Sequence, residues 1–139
     1  MRETRFSDYC VDTKADAALA LLDRGHVYIY DGPKPDSCEV PVDPSCTRLA
    51  DLRFGAPAFG HAHGGVAVAY AFAPCLGEVF GTPRWFRATT VADKPMFDGT
   101  VGPHPRSAAD EEYDMYIDGD VHEGGEVVVD LFRYVERKR

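Results

Sequence analysis

After residue 25 the sequence divides into short segments in which apolar and polar residues alternate, and glycine or proline often separates one segment from the next. In residues 26–30, Val27 and Ile29 alternate with polar or aromatic residues, and a Gly-Pro pair follows. Similar segments span 48–54, 65–72, 83–91, 95–97, 113–117 and 125–135. A period of two is typical of strands with one buried face. Short strands at such intervals favour an antiparallel β-sandwich or barrel, so the sequence predicts an all-β fold.

One stretch before these segments has helical spacing instead. Residues 13–24 are rich in alanine and leucine, Asp12 precedes them as a capping residue, and Gly25 follows as a stop signal. The apolar residues that fall on one face of such a helix are Ala15, Ala18, Leu19 and Leu22. We therefore predict one short N-terminal helix over residues 12–25, docked on the sheet and preceded by an arm of residues 1–11.

The apolar sides of the alternating segments give the predicted core. Its members are Val27, Ile29, Leu52, Phe54, Val66, Val68, Trp85, Val127, Val129 and Leu131. Between the first two predicted strands, residues 34–46 contain three prolines and no regular period. Proline lacks the backbone N–H that helices and sheets use, so we expect an irregular surface loop there.

The size and charge of the chain limit its organisation and its partners. Its 139 residues suit a single domain, with residues 26–135 forming the β part. The net charge of -8 disfavours binding to nucleic-acid phosphates. No apolar run approaches the roughly 20 residues that span a bilayer, and residues 1–10 lack the apolar stretch of a signal peptide. We expect a protein made in the cytoplasm that binds neither nucleic acid nor membrane.

Two sets of residues have the right chemistry for metal ions. His61 and His63 lie on one side of an extended segment, and zinc held by these two with Cys38 and Cys46 is one hypothesis. Two loop histidines among glycines are the interpretation we favour. The acidic residues of 110–120 could bind Ca²⁺, but their spacing does not fit an EF-hand and a solvated surface is favoured. We expect neither a metal nor another cofactor.

Motifs for covalent or phosphate chemistry are absent from the sequence. No serine lies in a G-x-S-x-G elbow, and no glycine cluster joins a strand to a helix. We therefore predict that the protein is not an enzyme. An aromatic sugar-binding platform around Trp85 and Phe86 is a minor alternative to ordinary sheet packing. The four cysteines include no C-x-x-C pair, and we expect free thiols, with a Cys38–Cys46 bridge left open.

Several sequence blocks occur together in the part of the chain from residue 26 to residue 135. They are YIYDGPKP at 28–35, LRFGAPAFG at 52–60 with GGVA at 64–67, GTPRWFR at 81–87 with FDGTVG at 97–102, and DMYI at 114–117 with GGEVVV at 124–129. In this order and spacing they resemble a family of small structural proteins encoded in the head-and-tail gene clusters of tailed phages and prophages. The chain differs from that family in its acidic charge, its cysteines and the His61-x-His63 pair.

The resemblance implies a virion component. Within that class we expect a capsid decoration (cement) protein on the outer surface of the capsid, binding the major capsid protein as many symmetry-related copies or as a homo-oligomer. A compact acidic β-module suits basic areas of a shell, and many copies turn weak contacts into high avidity. A tail or head-to-tail connector protein is the alternative.

The expected contact elements are the N-terminal arm and the proline-rich loop, because irregular segments often become ordered on a partner. The candidate contact residues are Arg2, Arg5, Phe6, Tyr9, Pro35, Val40, Pro41 and Val42.

Overall fold

The computed structural model describes residues 6–103 and 112–136. One helix, α1 (Asp8–Ala20), is followed by seven strands: β1 (His26–Tyr30), β2 (Arg48–Arg53), β3 (Val66–Val68), β4 (Trp85–Thr89), β5 (Pro95–Gly102), β6 (Met115–Ile117) and β7 (Val129–Val135). The prediction of a mostly β chain with one short N-terminal helix is confirmed. The loop 34–46 contains no helix or strand, as its prolines indicated.

The seven strands form one sheet in the order β2-β1-β4-β5-β6-β7-β3. Neighbouring strands are antiparallel except β5 and β6, which are parallel and pair Val101 with Met115. The expectation of a wholly antiparallel sheet is wrong at this pair, because the long connection 103–114 allows a crossover that a tight turn does not. Among the described residues, edge strands β2 and β3 do not pair with each other, so the sheet is not closed into a barrel.

The helix begins earlier and ends earlier than predicted. Ser7, not Asp12, is the N-cap, and its hydroxyl accepts a hydrogen bond from Cys10 N at 3.1 Å. The Asp12 carboxylate is used elsewhere, since it accepts from Gly65 N at 2.7 Å. The predicted arm of residues 1–11 therefore ends in helix, and Val11 is fully buried. The predicted apolar face is correct: Ala15, Leu19 and Leu22 are buried and Ala18 is partly buried.

Half of the predicted core is correct and half is displaced. The buried members are Val27, Ile29, Leu52, Phe54 and Trp85. Val68 is exposed, and the members that are only partly buried are Val66, Val127, Val129 and Leu131. In β3 and β7 the opposite face points inward, with Ala67 and Phe132 buried. A shift of one residue exchanges the two faces of a strand, and β7 is apolar on both, so its alternation could not identify the inner face.

Phe132 is at the centre of the core. Its ring centroid lies 4.9 Å from Phe86, 5.2 Å from Phe59 and 6.2 Å from Phe54. Phe54 directly follows β2, which is five strands away from β7 in the sheet order. A flat sheet would separate these strands by about 24 Å, at about 4.8 Å per strand. The sheet must therefore curl strongly, which brings the part around β2 and the part around β7 into contact through the phenylalanine cluster.

We predict that Phe132→Ala lowers the free energy of unfolding by about 3–5 kcal/mol, because it removes the ring on which both parts of the curled sheet pack. Leu131→Ala, at the adjacent and only partly buried position, is the matched control and should cost clearly less. Urea unfolding followed by circular dichroism measures both. Equal losses for the two variants would contradict the assignment of Phe132 to the core.

Candidate interaction surfaces

The predicted contact residues lie on two separate elements. Arg2 and Arg5 lie outside the described residues. Phe6 is partly buried, with Lys14 Nζ 3.8 Å from its ring centroid. Tyr9, in the first turn of α1, is 82% exposed. Of the loop residues, Val40 and Pro41 are exposed, whereas Pro35 and Val42 are partly buried.

Three aspartates, two in helix α1 and one just after it, fix the helix to the chain segment 58–65. Asp12 accepts from Gly65 N at 2.7 Å, Asp16 from Ala62 N at 2.8 Å, and Asp23 from Ala58 N at 2.8 Å. Each bond satisfies a backbone N–H group that lies outside the regular strands. The helix therefore holds the histidine-containing segment and presents Tyr9 from a fixed position.

The loop 34–46 is irregular but attached to the sheet at several points. Thr47 N donates to Asp31 Oδ1 at 2.6 Å, and Arg87 Nη2 donates to Ser37 O at 3.5 Å. Within the loop, Asp43 accepts from Ser45 N at 2.8 Å, and this backbone hydrogen bond lowers the pKa of Asp43. These contacts already hold the loop backbone in a defined conformation. The loop therefore does not need a partner to become ordered.

A buried ion pair underlies this loop. Arg87 Nε and Nη2 donate to the two carboxylate oxygens of Asp98 at 2.8 and 3.0 Å, and the two side chains are 8% and 4% exposed. The hydrogen bond to Asp98 raises the pKa of Arg87 above its already high value, so the guanidinium stays charged. A two-point pair of this kind fixes orientation as well as charge. Arg87 thus connects the loop at Ser37 to β5.

A second polar cluster lies on the outer face of β1. His26 Nδ1 is 2.8 Å from Asp51 Oδ1, and its Nε2 is 3.8 Å from Asp93 Oδ1. The Tyr28 hydroxyl also donates to Asp93, and burial is the main cause that raises the Tyr28 pKa. A histidine that activates a nucleophile points one nitrogen at a hydroxyl or thiol, whereas here both nitrogens face carboxylates. The cluster ties the turn 90–94 to β1 and β2.

The structure also places the residues considered for metal binding. His61 is 89% exposed, with its Nδ1 3.4 Å from Asp16 Oδ2, and His63 is exposed. Cys38 and Cys46 donate to Met96 O and Pro33 O. Of the acidic residues, Asp114 accepts from Thr100 N and Asp120 from the Thr82 hydroxyl, while 110–111 lie outside the described residues. Within 6–103 and 112–136, no three His, Cys, Asp or Glu side chains are grouped to hold a metal ion.

One exposed surface was not found from the sequence. Residues 75–81 and 121–127 pair irregularly, through Gly77 N to Gly125 O at 2.8 Å and Gly81 N to Val121 O at 3.0 Å. We call these two segments the apolar ribbon. A Cβ on Gly77 would lie 2.3 Å from His122 O, so only glycine allows this close approach. Irregular pairing interrupted by glycine has no period of two, which is why no strand was predicted over 75–81 or 121–124.

The apolar ribbon exposes large side chains to solvent. Leu76 and Phe80 are 62% and 61% exposed, and Val79 and the adjacent Val128 are exposed as well. Val121, on the same ribbon, is buried. Full burial of a leucine or phenylalanine side chain is favourable by about 1.5–3 kcal/mol. A partner that covered these side chains would therefore form a substantially more stable complex. Clustered exposed apolar residues are typical of binding surfaces.

Comparison of the chain with protein-family models, curated proteins and solved structures gave no match. No helix in the described parts of the chain has the length and apolar character needed to cross a membrane.

We predict that Asp98→Ala lowers the free energy of unfolding by about 3–5 kcal/mol, because it leaves the buried Arg87 charge without its partner. Asp36→Ala, at an exposed loop position, is the control and should change stability by less than about 0.5 kcal/mol. Chemical denaturation measures both values. A similar small effect for both variants would show that the Arg87–Asp98 pair does not support the loop.

The cysteine thiols give a separate prediction. All four are free, so alkylation of the native protein should add the same mass with and without reductant. Cys75 should react slowest at pH 7, because burial raises the pKa of its thiol and reduces the thiolate fraction. Peptide mapping after timed exposure to iodoacetamide measures the order. A deficit of two alkyl groups without reductant would instead indicate a bridge such as Cys38–Cys46.

Proposed function

We propose that this protein is a phage capsid decoration (cement) protein that binds the outer surface of the major capsid protein shell and stabilises it. The resemblance of residues 26–135 to small virion structural proteins motivates the proposal. The observation that carries it is the loop 34–46, which is irregular, exposed at Val40 and Pro41, and anchored through Arg87 and Asp98. A loop already held in one conformation loses less entropy when it binds.

The proposal includes a sandwich-like arrangement of the sheet. The contact between Phe54 and Phe132 supports it, because it brings strands from distant positions in the sheet order into one core. A compact module of this kind presents loops to a lattice and needs no catalytic groups. We accordingly assign the protein a structural rather than an enzymatic role, with neither metal nor cofactor.

The net charge also supports a location on the outside of the shell. A net charge of -8 is unfavourable next to packaged DNA but suits basic areas of a capsid protein. Many copies bound across the seams between capsomers would each add contacts that the shell must break before it ruptures. The predicted partner is therefore the major capsid protein, and neither nucleic acid nor membrane takes part.

The test uses shells assembled from the major capsid protein of the same gene cluster. We expect the protein to co-sediment with these shells to saturation, and shells without it to rupture at a lower temperature. Val40→Asp should weaken binding about tenfold, since it places a charge in the loop contact. Val91→Asp, which changes an equally apolar exposed side chain in the turn 90–94, is the matched control and should bind normally.

The N-terminal contact is tested by substitution rather than deletion, because removal of residues 1–11 would also remove the buried Val11 and the start of α1. Tyr9→Ser should weaken binding to shells and leave the fold intact. The decoration role would be overturned if the unmodified protein showed no saturable binding to shells. It would also be overturned if labelled particles carried the protein on the tail alone. The second result would favour the tail or connector alternative.

A further inference from the structure

The two chain segments around the apolar ribbon have an unusual charge. Residues 70–81 and 118–130 contain no lysine or arginine and six carboxylates: Glu78, Asp118, Asp120, Glu123, Glu126 and Asp130. The remainder of the chain has 17 acidic and 15 basic residues and is nearly neutral. Most of the net charge of the protein therefore lies in these two segments, one of which contains the exposed Leu76 and Phe80.

A groove of about 330 Å³ lies beside the ribbon and has both acidic and apolar residues in its lining. Its lining includes the acidic residues Asp118 and Glu126 and the apolar residues Val121 and Val128. Glu78 is paired with Arg48 at 2.9 Å and Asp120 accepts from Thr82, whereas Glu123 and Glu126 are exposed on the ribbon itself. A groove lined by both apolar and acidic residues matches the methylene stem and charged end of lysine or arginine.

The sign of this charge selects among possible occupants. Nucleic-acid phosphates and anionic lipid headgroups would be repelled. A second copy of the chain in a two-fold contact would bring the same carboxylates face to face, since both copies use the same surface. A basic protein surface is the occupant whose charge complements the ribbon.

We propose that the apolar ribbon docks on a protein surface that presents lysine or arginine side chains beside an apolar pocket. Leu76 and Phe80 enter the pocket, and a basic side chain of the partner lies in the groove between 117–121 and 126–130. This inference rests on the proposed function, in which the capsid shell supplies the basic surface. It makes the ribbon, in addition to the loop 34–46, a contact with the shell.

The experiment measures binding of purified variants to shells of the major capsid protein from the same gene cluster. The apolar contact is removed in Leu76→Ser/Phe80→Ser, for which we expect at least a tenfold loss of affinity. The charge is neutralised in Glu123→Gln/Glu126→Gln and reversed in Glu123→Lys/Glu126→Lys, and affinity should fall further at each step. Val91→Ser is the apolar control away from the ribbon, and thermal unfolding confirms that each variant is folded.

Salt dependence supplies a second measurement. Affinity of the unmodified protein should fall as NaCl rises, and the neutralised variant should show a smaller dependence, because fewer charge pairs remain to be screened. Both results together support the inference. Unchanged affinity of the folded ribbon variants, with normal binding by the unmodified protein, overturns the ribbon contact and leaves the decoration role standing.

Two other outcomes are distinct from these. If the unmodified protein does not bind shells at all, the proposed function fails and the ribbon contact fails with it. If the protein dimerises without shells and Leu76→Ser/Phe80→Ser abolishes the dimer, a second copy covers the ribbon and the basic partner is wrong. Analytical ultracentrifugation of the isolated protein decides this last case.

Discussion

The contacts of Phe132 are the interaction on which the rest of the structure depends. This ring lies between phenylalanines from both parts of the curled sheet, including Phe54 after β2 and Phe86 on β4. Short strands such as β3 and β6 form few ladder hydrogen bonds of their own, and an isolated pair of such strands is marginal in water. Burial of the aromatic cluster supplies the stabilisation that keeps them in one sheet, and hence positions every surface that the sheet carries.

Around this core, polar side chains fix the irregular parts of the chain. Asp12, Asp16 and Asp23 satisfy backbone N–H groups of 58–65, and Arg87 with Asp98 supports the loop 34–46. Loops without regular hydrogen bonds need such partners if their backbone groups are to avoid an unfavourable loss of hydration. The same arrangement leaves apolar side chains exposed on rigid supports, which is the property that our functional proposals use.

The sequence correctly predicted the local features for which the residue pattern favours a single structure. The boundaries of β1 match the alternation of 26–30, and the proline-rich loop lacks regular structure. The N-terminal helix was predicted, but its start was misplaced. Asp12 is a residue type common at helix N-caps, but its carboxylate accepts a hydrogen bond from the distant Gly65 N instead. Of the candidate contact residues, Tyr9 and Val40 are exposed while Phe6 and Val42 are partly buried. The ribbon was missed because its pairing is irregular and its exposed residues are apolar.

The sequence by itself determined the β class, the single N-terminal helix, the loop 34–46 and the acidic charge, because these follow from residue spacing and composition within short windows. Only the tertiary structure decided that β5 and β6 are parallel, that Phe132 rather than Leu131 faces inward, and that Glu126 lies opposite Leu76. A strand that is apolar on both faces has no local preference for either, so packing against distant residues selects one. Likewise, carboxylates lie beside an exposed apolar side chain only because the fold pairs two distant segments, 75–81 and 121–127.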